Sequence, residues 1–425
     1  MSAQNLVRTG EMHNLYYAEP GNQLLQKIPV EYDTRFTSEF SNKASGVSVF
    51  TIPPNMGVRH VLIVLGYNAA TINGQLGAQA LERGWGYNAI EQISFRIGGS
   101  SQYFLTGSQL LARNLRLCRT QSQRQAMLEL GGNECKVATD FDVDQYAYIP
   151  VSIWCAPGED ELQLPLPTDL LSQQVQVTCQ LKPSAGFWSP PVTGVGAPAS
   201  VQLPDKFDTA FFQIEQLVMN DRGMAMANSG KDMATDIYTM PLPTFDQQEV
   251  QVQLAAQPMG SAPQSVVLTG FRAGQVKKLQ VYLTDNAGST VNALEWYAPK
   301  SIQALYAGLI YASYTNGSSR MWNLLDGTSP SAVGQSFLVP NAATLATATA
   351  WTSSNALTEW VELPFGQPSG SDYEADIYVR GKEITNGIIN LNVTTPDPTK
   401  SYTLHVVYVY NCTVAFSRGT ADLVF

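Results

Sequence analysis

"VFTIPPNMGVRHVLIVL" occupies residues 49–65, and "VVLTGFRAGQVKKLQVYL" occupies residues 266–283. Each reads as a short apolar strand, a turn containing glycine, and a second strand in which apolar and polar residues alternate. An offset of 217 sets Val49 on Val266, Gly57 on Gly274, Leu62 on Leu279 and Val64 on Val281. A second anchor lies downstream. "IGGSSQYFLTG" (97–107) and "TNGSSRMWNLLDG" (315–327) both put a turn-forming pair ahead of two serines and aromatic side chains, and Gly99 falls on Gly317 at an offset of 218. Gly-Gly and Asn-Gly are among the few pairs that accept φ > 0 at both central positions of a two-residue hairpin turn. Agreement of the two anchors within one residue predicts duplication: two copies of one β-sandwich in a single chain. A third echo, "PLPTDLLSQQVQVTCQL" against "PLPTFDQQEVQVQL", sits at an offset of 76 and joins neither anchor. It reads as convergent strand-and-turn composition.

Strand signals run through the rest of the chain. "AYIPVSIWC", "QVQVTCQLK", "EVQVQLAAQ", "EADIYVRG" and "SYTLHVVYVYNCTVAF" are rich in β-branched and aromatic residues and bounded by turn formers. Many short strands with turns between them indicate a sandwich or jelly roll rather than a βαβ fold. The exception is "GSQLLARNLRLCRTQSQRQAMLELGG" (107–132), which predicts one helix stopped by Gly131-Gly132. Its Arg113, Arg116, Arg119 and Arg124 are expected on a solvated face. "WSPPVTGVGAPASVQLPDK" (188–206) is Pro- and Gly-rich and reads as a linker. The expected division is an N-terminal arm at 1–26, a first domain at 27–190, a linker at 191–205 and a second domain at 206–425.

Composition narrows the function. The chain has 425 residues, enough for two sizeable cores, and only 14% of them are charged. With 25 Lys plus Arg against 35 Asp plus Glu, the net charge is −10. Clustered positive charge for gripping a nucleic-acid backbone is missing, which argues against direct nucleic-acid binding. The first residues show no basic region followed by an apolar core, and apolar runs such as "VLIVLGY" are strand-length. A soluble chain made in a cytoplasm is expected.

No catalytic, cofactor-binding or metal-ligating residue is assigned. His13, His60 and His405 lie far apart without ligand-spaced partners, and no G-x-S-x-G, P-loop or dinucleotide fingerprint occurs. Asp140, Asp142 and Asp144 would share one face if extended, as a cation site could, but Gln145 and Val151 stand where a calcium loop needs Gly and Glu. Adjacent Glu159, Asp160 and Glu161 read as a solvated turn. Cys118, Cys135, Cys155, Cys179 and Cys412 are odd in number and widely spaced, so inert thiols are expected. Asn316, Asn392 and Asn411 begin glycosylation triplets that read as chance matches. Trp296, Trp322, Trp351 and Trp360 could stack on sugars if exposed.

The stretch "RGWGYNAIEQISFRIGGSSQYFLTGSQLLARNL" (83–115) runs strand, polar turn, aromatic return, helix. It resembles the first jelly roll of the double-jelly-roll major capsid proteins of the tectivirus–adenovirus lineage. "IINLNVTTPDPTKSYTLHVVYVYNCTVAF" (388–416) looks like the closing strand pair of their second. The resemblance implies an all-β fold of two tandem eight-stranded jelly rolls, with a short helix in an inter-strand loop of the first. It also implies a non-enzymatic structural protein without cofactors, located in the virion. Homotrimers would form pseudo-hexagonal capsomers tiling an icosahedral shell around double-stranded DNA. The implied partners are neighbouring capsomers, penton and minor capsid proteins, and proteins or lipid of any internal membrane. Tower loops are expected at 286–300 and 326–354. Two other readings stay open: a tandem carbohydrate-binding or adhesin-like module, and a spike or minor vertex protein of the same fold.

Overall fold

A computed structural model describes residues 30–52, 57–76, 78–96, 103–118, 121–135, 138–151, 166–168, 174–189, 202–219, 238–241, 247–269, 274–286, 296–306, 308–315, 318, 332–333, 358–364, 382–384, 389–410, 413–417 and 420–424. The expected N-terminal arm lies outside them, as do most of the linker, the turns at 98–99 and 316–317, the strand "EADIYVRG" and most of both tower loops.

The chain forms two units. The first draws on residues 1–118, 126–245 and 412–425; the second draws on 119–125 and 246–411. In the first, eight strands follow one another: β1 (Val30–Glu39), β2 (Val47–Ile52), β3 (Gly57–Tyr67), β4 (Ile90–Arg96), β5 (Tyr103–Leu105), β6 (Gln145–Pro150), β7 (Val175–Leu181) and β8 (Thr209–Met219). They form two antiparallel sheets, ordered β1-β8-β3-β6, where a short strand at Leu166–Pro167 also pairs with β3, and β2-β7-β4-β5. Alternation explains the pairing. Phe50 and Ile52 of β2 and Val175, Val177 and Cys179 of β7 point inward and are buried. Phe212 of β8 meets Phe40 and Phe50 at ring distances of 4.8 and 5.2 Å, joining the two sheets through one core.

The second unit repeats this order. Its strands are β9 (Gln247–Leu254), β10 (Gln264–Leu268), β11 (Gly274–Asp285), β12 (Ser301–Tyr306), β13 (Leu309–Thr315), β14 (Val361–Pro364), β15 (Ile389–Thr394) and β16 (Tyr402–Tyr410). The sheets run β9-β16-β11-β14, where a short strand at Lys382–Ile384 also pairs with β11, and β10-β15-β12-β13. Adding eight to each strand number of the first unit gives the second. Each unit is an eight-stranded jelly roll.

The offset between the copies differs from the sequence reading. β3 skips Arg59 in its pairing with β8, and β11 skips Lys277 in its pairing with β16, so the two bulges correspond at 218. That offset sets buried Val61, Ile63 and Leu65 on buried Leu279, Val281 and Leu283. The value of 217 misses by one residue, enough to exchange the faces of a strand.

The hairpin anchor also moves. Tyr306 pairs with Leu309, so the hairpin between β12 and β13 closes there, with Gly308 at φ 79°. Asn316-Gly317, outside the described residues, comes after β13 in the chain and so is not the pair between β12 and β13. The bonding pattern of the helix start at Thr106 recurs at Thr315. Thr106 N–H donates to Gln109 Oε1 (2.9 Å) while Gln109 N–H donates to Thr106 Oγ1 (3.3 Å). Thr315 and Ser318 exchange the same reciprocal bonds, at 2.8 and 3.3 Å.

The expected domain division needs correction too. β8 follows the Pro-rich stretch yet lies between β1 and β3, inside the first unit. Proline and glycine there do not mark the end of a domain. The change of units falls between β8 and β9. The chain also returns: Thr413–Ser417 pairs with Tyr238–Pro241 and with Thr420–Val424, all in the first unit. Consequently the closing strands β15 and β16 lie in different sheets, not paired with each other.

Between β3 and β6 stand α1 (Ala69–Asn73), α2 (Trp85–Ala89), α3 (Gly107–Leu117) and α4 (Gln121–Leu130). The single helix expected at 107–132 is thus two, because Cys118 leaves α3 in an extended conformation at ψ 126°. The stop at Gly131-Gly132 is where it was expected, with Gly132 at φ 124°.

Candidate functional site

The sequence singled out histidines, acids, arginines, thiols and tryptophans, and most of those described hold the fold. His60 Nε2 faces Glu215 Oε2 at 3.8 Å across β3 and β8. His405 Nδ1 lies 2.5 Å from Glu249 Oε1, and Nε2 lies 2.9 Å from Thr284 Oγ1. Its ring stacks on Tyr282 at 4.6 Å, and Tyr282 stacks on Trp296 at 4.3 Å. Both ring nitrogens of His405 are engaged, which leaves none for a ligand. Burial, then the Glu249 carboxylate, holds the Tyr282 phenol well above its usual range. His13 lies outside the described residues.

The arginines depart from expectation. Arg113 and Arg124 are 1% and 3% exposed, and Arg116 is buried. They do not form a solvated face, and they do not present a cationic surface to nucleic acid. Arg119 lies outside the described residues. Arg113 Nη1 donates to Asn114 Oδ1 (2.8 Å), and Asn114 Nδ2 donates to Tyr87 Oη and the Pro150 carbonyl, both at 3.0 Å.

Residues 119–125 belong to the second unit, where Arg124 lies over the Trp360 ring at 5.0 Å. Beside it, buried Glu362 accepts from Lys278 Nζ (3.0 Å) and Trp360 Nε1 (3.2 Å). Burial alone would raise the Glu362 carboxyl. Lys278 and Arg124, with the hydrogen bonds, outweigh burial and hold it below the usual carboxylate range.

Asp142 and Asp144, with Asp208, serve α1. Asp144 Oδ1 accepts from Ala69 N–H (2.7 Å), Asp142 Oδ1 from Asn73 Nδ2 (2.8 Å), and Asp208 Oδ2 from Asn68 N–H (2.8 Å). Among the described residues no three His, Cys, Asp or Glu side chains gather as a metal site would require. Glu159, Asp160 and Glu161 lie outside those residues, with Asn316, Asn411, Cys155, Cys412, Trp322 and Trp351. Cys118, Cys135 and Cys179 are buried thiols, and burial pushes Cys135 up to about 12. Trp296 and Trp360 are buried, so neither is a platform for a sugar. Asn392 lies in β15 and donates to Gln303 Oε1 (3.0 Å).

What sequence reasoning missed is on the sheet faces. The outward row of the β2-β7-β4-β5 sheet is Val49, Thr178, Ser94 and Phe104, of which Ser94 is buried. Its counterpart on β10-β15-β12-β13 is Val267, Asn390, Leu305 and Ile310. Val49 is 61% exposed, Phe104 51%, Val267 55% and Ile310 62%. The available signal was the absence of charge: β10, β12, β13 and β15 contain no Asp, Glu, Lys, Arg or His.

No protein-family model matches the chain, and no curated protein matches it in sequence. Solved structures do match in fold. The PBCV-1 virus capsid protein superposes with a TM-score of 0.60 at 10% identity, over 93% of this chain and 96% of its own. The mavirus major capsid protein gives 0.54 at 11% identity, over 99% and 95%. The Faustovirus major capsid protein gives 0.54 at 8%, over 91% and 90%. Matched strand for strand between its halves and end to end with these structures, the chain has the double-jelly-roll fold.

Proposed function

We propose that the chain is a major capsid protein, a structural and non-enzymatic component of an icosahedral virion. The observation that carries this is the fold over the whole length: both jelly rolls align with capsid proteins, leaving no substantial part of either chain over. Two equivalent jelly rolls per chain have a geometric use. Three copies about a threefold axis place six similar units in a ring, and such a block tiles a hexagonal lattice. The trimer is the proposed capsomer, the shell encloses double-stranded DNA, and neighbouring capsomers, penton and minor proteins and any internal membrane are its partners. The acidic balance fits a shell that does not grip its genome through phosphate contacts.

The test is native mass by size-exclusion chromatography with light scattering. A particle of three times the 46.3 kDa chain that persists on dilution supports the proposal. An interface of that kind buries about 2,000–5,000 Å². A folded monomer at every concentration contradicts it.

A further inference from the structure

We infer that the outward faces and edges of the β2-β7-β4-β5 and β10-β15-β12-β13 sheets are the surfaces through which one copy of this chain meets another. The inference rests on the assembly reading above and assigns its contact surface. Three observations carry it.

The first is where charge lies. The β1-β8-β3-β6 strands hold Glu31, Asp33, Arg35, Glu39, Arg59, His60 and Glu215, and the β9-β16-β11-β14 strands hold Glu249, Lys277, Lys278, Asp285, Glu362 and His405. On the other two sheets only Glu91 and Arg96 are charged, both on β4. A copy of a chain with net charge −10 repels its twin, so identical copies approach most readily through uncharged surface.

The second is the edges. A strand at the rim of a sheet presents unpaired backbone groups, and soluble proteins protect such rims with charge or proline. Here β1 carries four charged residues, β6 ends in Pro150, β9 and β14 carry the buried, ion-paired Glu249 and Glu362, and β14 ends in Pro364. The rims of the other two sheets, β2, β5, β10 and β13, carry neither charge nor proline. Left bare, "LIYASYT" of β13, with Leu309 and Ile310 exposed, is a template for unwanted pairing.

The third is repetition. Exposed apolar side chains stand on the outward faces of both units, on corresponding strands: Val49 and Val267 on β2 and β10, Phe104 and Ile310 on β5 and β13. A contact needed in one half of a ring of six similar units is needed in the other.

The experiment compares the native chain with Val49→Glu/Phe104→Glu and Val267→Glu/Ile310→Glu. Light scattering over a concentration series gives the midpoint of assembly, and circular dichroism with thermal melting reports the fold. Placing carboxylates in a dry contact is expected to raise the midpoint by about a hundredfold or more in each double variant. Val143→Glu and Met259→Glu, at exposed apolar residues off these sheets, are expected to move it less than about threefold. Hydrogen exchange on the native chain needs no folded variant: assembly should slow exchange in β2, β5, β10 and β13. Double variants that assemble like the native chain, or protection gained elsewhere and not in these strands, overturn this surface while leaving assembly intact. A native chain that never assembles overturns the assembly reading and this surface with it.

Discussion

Glu362 sits in the second unit between Lys278 Nζ at 3.0 Å and Trp360 Nε1 at 3.2 Å, with Arg124 over the same tryptophan. Its folded-state pKa is depressed, so the stabilisation is present above the unfolded glutamate value of about 4.3 and is lost as pH falls through the lower folded value. Replacing Glu362 with Gln removes the buried carboxylate that Lys278 and Trp360 bond and is expected to cost about 3 kcal/mol near neutral pH. In urea unfolding, the gap between native and Glu362→Gln should narrow as pH drops below about 4. A gap constant with pH contradicts the account. Gly107 is a different case: a Cβ there would stand 1.8 Å from the Tyr87 carbonyl oxygen, a backbone atom that cannot move aside cheaply. Gly107→Ala is expected to cost more than about 2 kcal/mol by the same measurement. The roles of Arg113, Arg116 and Arg124 were illegible because their spacing describes only their own helix. Trp360 and Glu362, which surround Arg124, are far along the chain.

The strands were legible because alternation states both their existence and their buried face. In β7, "VQVTCQL" alternates buried and half-buried residues throughout. The correspondence between copies was legible to one residue and no further. Gly57 and Gly274 open β3 and β11, but the bulges at Arg59 and Lys277 set which side chains face inward, and a bulge has no composition of its own. The helix start at Thr106 went unread, although its signal stands in the sequence: a threonine ahead of a glutamine three positions on. Thr106→Ala removes one side of that reciprocal bond and is expected to cost about 1 kcal/mol. Because the cap stands where β5 gives way to α3, faster amide exchange in the first turn of α3 is the local readout. Unchanged exchange there would show the cap to be idle.

The two-fold internal repeat was visible in the sequence, but its boundary was not. Proline and glycine at 191–205 separate β7 from β8, two strands of one jelly roll, and a domain ends only when its last strand has paired. β8 lies between β1 and β3. A fragment ending at residue 205 therefore lacks an interior strand and should melt without cooperativity, whereas one ending at residue 245 should show a cooperative transition. Equal cooperativity in both would contradict the placement of β8. The assembly surface was equally hidden, since an exposed valine and a core valine look alike until the face is known. The central claim is that two equivalent jelly rolls per chain make a pseudo-hexagonal block from three chains. Electron-microscope class averages of the purified particle test it most directly. The account predicts a hexagonal outline with six lobes about a threefold axis; a folded monomer, or an assembly without that symmetry, would contradict it.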